Sequence, residues 1–181
     1  MFYGLFYCMR YQLIFILACG CLLGCSKNDI KEPLEYHGPL SEAENVELYY
    51  SDKEQVKLKL IAPLMYEYKT GDREFPKGIN MEFFDETGKL ESTLKANNAY
   101  FFKQENKWRG QGDVEVKNVQ KNEQLNTEEL YWRPPDKKIF TDKFVTIKQQ
   151  KDVIYGEGLD ATEDLSDYTI TKLSGTFVVN E

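Results

Sequence analysis

The chain is 181 residues long, with 23 basic and 30 acidic side chains, one histidine and a formal net charge of −7. Such a balance repels phosphate backbones instead of neutralising them, so no nucleic-acid partner is expected. The four cysteines, Cys8, Cys19, Cys21 and Cys25, all sit at the front of the chain. The remainder therefore has no thiol for a disulfide, a zinc site or a nucleophile.

The chain opens on an apolar leader. After Arg10 an uncharged run extends from Tyr11 to Ser26 and ends at Lys27, which is short for a membrane span of about 20 apolar residues. One basic residue, an apolar stretch and a small residue before a cut describe a secretory signal peptide. Leu22, Leu23, Gly24 and Cys25 match the bacterial lipobox, in which the cysteine thiol is lipidated and the bond before it is cleaved. We expect residues 1–24 to be a lipoprotein signal peptide, residues 25–40 the lipidated Cys25 and a tether, and residues 41–181 one domain. Met9 followed by Arg10 is a natural start for such a leader. Cleavage leaves 157 residues with a side-chain charge of −8, enough for one hydrophobic core. Several acyl chains on Cys25 anchor a protein stably where a single chain binds only marginally. His37 falls in the tether segment "KEPLEYHGPL", where no catalytic role is expected of it.

Beyond the tether the chain reads as strands. "GINMEFF" sets Ile79, Met81 and Phe83 against Asn80 and Glu82, and "GDVEVK" sets Val114 and Val116 against Asp113, Glu115 and Lys117. This period-two alternation predicts strands with one buried and one wet face. Asp85–Lys89, "DETGK", predicts a hairpin turn, and "RPPDKK" at 133–138 interrupts the chain because neither proline donates to a ladder.

Four segments repeat at steps of 34, 31 and 29 residues: "LIAPLMY" from Leu60, "LKANNAY" from Leu94, "LNTEELY" from Leu125 and "IYGEGLD" from Ile154. The third place is Ala62, Ala96, Thr127 or Gly156, the sixth Met65, Ala99, Leu130 or Leu159, and the seventh Tyr66, Tyr100, Tyr131 or Asp160. Each unit is expected to turn and return as a second strand, in order "INMEFF", "DVEVK", "FVTIK" and "TFVV". About four stacked hairpins of this kind make an all-β architecture of two facing antiparallel sheets. Their inner faces are expected to carry Met81, Phe83, Tyr100, Phe102, Val114, Val116, Trp132, Ile139, Val145 and Ile147. Closed sheets make these a sandwich core; splayed sheets make them an apolar trough.

"ENVELYYSDKEQVKLKLIAPLMYEY" from Glu44, "FFDETGKLESTLKANNAYF" from Phe83, "GDVEVKN" from Gly112 and "LNTEELYWRPPDKKIFTDKFVTI" from Leu125 together resemble the LptC family. These are periplasmic components of lipopolysaccharide export, here in a form that begins with a lipobox instead of a transmembrane helix. The resemblance implies an open, twisted β-jellyroll, often called a β-taco, and no enzymatic activity or cofactor. It implies a protein lipid-anchored at the outer face of the inner membrane. The domain would receive lipopolysaccharide from the inner-membrane ABC transporter in an apolar groove and pass it to a downstream periplasmic β-jellyroll bridge protein. The ten inner residues above are then the expected lipid groove. The unpaired strand of Ser174, Gly175, Thr176, Phe177, Val178 and Val179 is the expected partner edge, open to β-augmentation. The first strand, around Val46 to Tyr50, would face the transporter.

Enzymatic readings find little support in the residues. Glu128 and Glu129 are adjacent, so on a strand they point to opposite faces and do not flank one substrate. "GEGLDA" from Gly156 is followed by "TEDLSDYTI", which opens no helix of the kind a nucleotide-binding fingerprint requires. The rival class is a surface-exposed β-sandwich lipoprotein that binds glycan or protein, separable by protease accessibility in whole cells.

Overall fold

The computed structural model describes residues 35–149 and 152–174. The leader, Cys25 and the segment Gly175, Thr176, Phe177, Val178 and Val179 lie outside them. The chain divides into two compact units, Met1–His37 and Gly38–Glu181, and the second holds all the described strands. These are β1 (Ser41–Asp52), β2 (Gln55–Glu67), β3 (Arg73–Phe75), β4 (Ile79–Phe84), β5 (Leu90–Ala96), β6 (Asn98–Phe102), β7 (Lys107–Asn118), β8 (Glu123–Arg133), β9 (Lys138–Gln149), β10 (Asp152–Thr162) and β11 (Tyr168–Ser174). Among the described residues no helix is long and apolar enough to cross a membrane.

All 11 strands belong to one antiparallel sheet, in which β7, β8, β9, β10 and β11 follow one another and β1 borders β2. Between β2 and β7 the sheet forks. At one end β4 and β5 bridge them, through Leu58–Ile61 of β2 and Glu115–Asn118 of β7. At the other end β3 and β6 do so, through Tyr66 and Glu67 of β2 and Lys107–Gln111 of β7. The architecture is therefore one continuous sheet creased into two leaves, where the alternation alone suggested two separate sheets.

The crease is written in backbone that cannot continue a flat ladder. Asn45, in the left-handed region at φ 52°, stands opposite Pro63, which has no amide hydrogen to give. In β7, Gly112 and Asp113 are both left-handed and interrupt the pairing with β8 between Gln111 and Val114. Asn97 ties this point down: its amide donates to the Gly112 carbonyl at 3.0 Å and its side chain to the Asp113 carboxylate at 3.0 Å. A Cβ on Gly112 would stand 3.1 Å from Asn97 Cβ. The pairing of β8 with β9 lapses between Thr127 and Tyr131, and that of β9 with β10 shifts at Gly158. Such bulges concentrate bend and twist in one place.

The sequence repeat marks the crossing of this crease. Its fourth place, Pro63, Asn97, Glu128 and Glu157, lies at the fold line, and its third place, Ala62, Ala96, Thr127 and Gly156, is buried beside it. Small residues fit there because the two leaves converge. The crossing also moves the alternation by one residue. The first place (Leu60, Leu94, Leu125, Ile154) and the sixth (Met65, Ala99, Leu130, Leu159) both join the core, although five steps along a regular strand would put them on opposite faces.

Three expectations meet a different outcome or a sharper one. The turn at Asp85–Lys89 is present: the Asp85 amide donates to the Lys89 carbonyl at 2.9 Å, and the Asp85 carboxylate accepts from the Thr87 hydroxyl at 2.7 Å. Donation to that carboxylate by the Thr87 hydroxyl, the Lys89 and Thr87 amides and the Gln120 side chain holds the Asp85 pKa down to about 2. The return strand of the fourth unit is Tyr168–Ser174, earlier in the chain than the expected "TFVV", because the tight turn in which the Thr162 amide donates to the Asp167 carbonyl brings the chain back at once. Tyr100 and Phe102 do not face inward, because Ala99 and Phe101 hold the inner positions of β6.

Candidate functional site

The space between the leaves is the concave face of the fold, and its inner rows are mainly apolar, with Ser92, Asn118, Thr127 and Thr141 buried among them. One row runs Leu60, Met81, Leu94, Val116, Leu125 and Ile147 across successive strands of the first leaf. On the second leaf, Phe101, Trp108, Trp132, Ile139 and Ala161 form a facing row. The leaves touch where Phe83 of β4 meets Trp132 of β8 edge to face, with ring centroids 5.1 Å apart, and Trp132 stacks beside Trp108 at 6.2 Å.

Of the ten expected groove residues, Met81, Val114, Val116, Trp132, Ile139, Val145 and Ile147 are buried in one contiguous cluster, with Phe83 packed against it. Met81, Val114, Val145 and Ile147 are 0% exposed. The leaves are closed on their own side chains. Tyr100 and Phe102 correct the expectation: they lie on the outer face, since their neighbours Ala99 and Phe101 hold the inner positions. Tyr100 belongs to an outer row with Glu74, Arg109, Tyr131 and Phe140. The Arg109 guanidinium lies 5.7 Å and the Lys107 ammonium 5.1 Å from the Phe102 ring, and Tyr131 stacks on Phe140 at 5.4 Å. Cations over aromatic faces offer these rings an outer-surface partner that an apolar interior lacks. The one-residue shift at the crease is what sends the repeat's tyrosines outward.

The mouth opposite the crease is crossed by the β10–β11 turn, which sequence reasoning did not identify. Leu165 projects from this turn and is 2% exposed. The Trp132 indole donates to the Glu163 carboxylate at 2.9 Å from the second leaf. From the first leaf, the Asn118 side chain donates to the Asp164 carbonyl at 2.8 Å, and Lys121 pairs with the Asp164 carboxylate at 3.6 Å. Burial pushes the Glu163 pKa up, against the opposing pull of the Trp132 N–H and Lys137. Burial pushes Asp164 the same way, but hydrogen bonds from Thr162 and Ser166, with Lys121 beside it, win and bring it to about 2.

Among the described residues no group of histidine, cysteine or acidic side chains is placed to hold a metal ion. The lateral edges of the sheet are free in the same sense: among the described residues β1 bonds only β2, and β11 only β10. Of the expected partner edge only Ser174 is described, as the last residue of β11, opposite Tyr155.

A creased antiparallel sheet whose two leaves close over an apolar interior defines the class as an all-β jellyroll. The family model described as "Lipopolysaccharide-assembly, LptC-related" matches residues 11–174, and the chain belongs to this family. Membership implies a role in lipopolysaccharide transport. Comparison with curated proteins found no match.

Proposed function

We propose that this protein is a lipid-anchored periplasmic carrier that takes lipopolysaccharide from the inner-membrane ABC transporter and passes it to the next β-jellyroll protein of a bridge. The observation that carries the reading is the continuous apolar lining between the leaves, running from the β1 side to the β11 side. Each methylene left in water costs ~0.8 kcal/mol, so a lipid with several acyl chains crosses an aqueous space only if that surface is shielded. Shielding by the chains' own dispersion and hydrophobic contacts leaves the sugar in solvent and needs no cationic cradle, in keeping with the acidic chain. Since the lining is closed on itself, entry of acyl chains requires the leaves to part at the mouth, with the crease as hinge.

In this reading residues 1–24 are removed, Cys25 carries the lipid, residues 25–40 span from bilayer to domain, and β1 faces the transporter. The β11 edge adds to an edge of the downstream protein, where main-chain pairing supplies the contact; Gly175–Val179, expected to belong to the same edge, lie outside the described residues. Depletion of the protein should leave newly made lipopolysaccharide in the inner membrane. A Cys25→Ala variant should move from the membrane fraction to the periplasmic fraction or remain as uncleaved precursor. Normal lipopolysaccharide arrival at the cell surface after depletion, with the protein digested by external protease in intact cells, would instead make it a surface-binding lipoprotein.

A further inference from the structure

We propose that the β10–β11 turn, Thr162–Asp167, is a releasable strap across the mouth, and that Leu165 holds the place of an acyl chain until cargo displaces it. The inference rests on the reading that the interior is the lipid path. Its basis is an imbalance between what the strap covers and what fastens it.

The strap covers the interior with a single leucine. Leu165 is buried and packs into the core cluster, yet it stands in the left-handed region at φ 57°, a conformation that side chains other than those of glycine, asparagine and aspartate adopt reluctantly. Such backbone persists only where its surroundings hold it. The turn is internally tied, which lets it move as a unit. The Leu165 amide donates to the Thr162 carbonyl at 2.9 Å, the Ser166 hydroxyl to the Asp164 carboxylate at 2.7 Å, and the Thr162 and Ser166 hydroxyls share a bond of 3.0 Å.

The fastening to the opposite leaf is slight by comparison. Among the described residues it consists of the Asn118 bond to the Asp164 carbonyl and the Lys121–Asp164 ion pair, with Tyr168 hydrogen-bonded toward Gln149 at the start of β11. The ion pair is partly exposed, and pairs of that kind contribute little. Among the described residues no strand pairing crosses the mouth, whereas the strands β2, β7, β8 and β9 run on through the crease opposite. An apolar chain arriving at the mouth makes the contacts Leu165 makes, so displacement exchanges one aliphatic group for another. Releasing the strap itself then costs the few rim bonds, while parting the leaves beneath it also breaks the Phe83–Trp132 contact. A carrier must both hold and release its cargo, and a strap of this kind keeps the empty interior from water between loads.

The test uses the full-length lipoprotein in cells, with a photoactivatable residue at Met81 and capture of lipopolysaccharide as the readout. Lys121→Cys with Asp164→Cys puts thiols on the two side chains that pair across the mouth, in a mature chain whose other cysteine is lipidated; a short bis-methanethiosulfonate reagent joins them through reducible disulfides, and a non-reducing gel reports the link. With the strap so locked, capture at Met81 should fall at least about tenfold, in line with the loss of the binding-competent fraction, and return on reduction. Leu165→Ser, which weakens closure without a new covalent bond, should raise capture in cells whose transport is arrested. Unchanged capture in the locked protein, or in Leu165→Ser at wild-type protein level and melting temperature, would overturn the strap. Capture absent at Met81 in the otherwise wild-type protein would instead overturn the carrier reading and the strap with it.

Discussion

Replacing Trp132 with alanine should destabilise the domain by ~3–5 kcal/mol, the usual cost of deleting a large aromatic side chain from a core. For a domain of this size that lowers the melting temperature by roughly 10–20 °C. The side chain performs three tasks at once. It stacks beside Trp108 on the neighbouring strand, meets Phe83 of the opposite leaf, and donates its indole N–H to Glu163. The first two losses open a cavity where the leaves touch. The third leaves a half-buried carboxylate without its donor and pushes its already raised pKa further up. Trp132→Phe keeps most of the ring contact but not the donor, so its cost should be smaller, ~1–2 kcal/mol. Denaturant melts of the two variants separate packing from hydrogen bonding. A loss below ~1 kcal/mol for the alanine variant would mean that the leaves are not held by this contact.

Gly156→Ala should detach β11. Gly156 lies in β10 between Val145 of β9 and Leu173 of β11, and a Cβ there would stand 2.2 Å from Ile170 Cγ2 and 2.8 Å from the Lys172 carbonyl oxygen. Ile170 packs against the core and the Lys172 carbonyl is backbone, so the strand itself must move. Overpacking of this sort typically costs ~1–3 kcal/mol, and it falls on the last described pairing of the sheet instead of on the core. Amide exchange should therefore accelerate in Tyr168–Ser174 while Met81 and Ile147 stay protected. If β11 is the docking edge of the proposed carrier, co-purification of a downstream β-jellyroll protein should weaken as well. Wild-type exchange in β11 would show that the strand tolerates the methyl group and that its edge is not set by this approach.

Much of the fold is readable from local chemistry. The strands around Met81 and Val114 follow from alternation, the Asp85–Lys89 turn from its turn residues, and the order of hairpins from the repeat. Less readable is the face that each residue takes beyond the crease. Tyr100 sits six places after Leu94, and strict alternation puts both on the inner side. The interruption at Asn97 moves the parity by one, so small Ala99 turns inward and the large ring turns out. Hydrophobic size misleads here, because the converging leaves leave room only for small residues. The strap was harder still. Its signal is one apolar residue, Leu165, within the polar turn "TEDLSDY", and its burial depends on Asn118 and Lys121, which are remote in the chain. The closed state of the interior was equally beyond reach, since the same inward residues serve a core and a groove.

If lipopolysaccharide travels between the leaves, photocrosslinking in living cells reveals it. Probes at Met81, Val114 and Ile147 of the inner face should capture lipopolysaccharide only while ATP drives transport, and probes at Tyr100 and Phe102 of the outer face should not. Capture at the outer positions with silence at all three inner ones would mean that the leaves stay shut on a dry core and that the lipid takes another path.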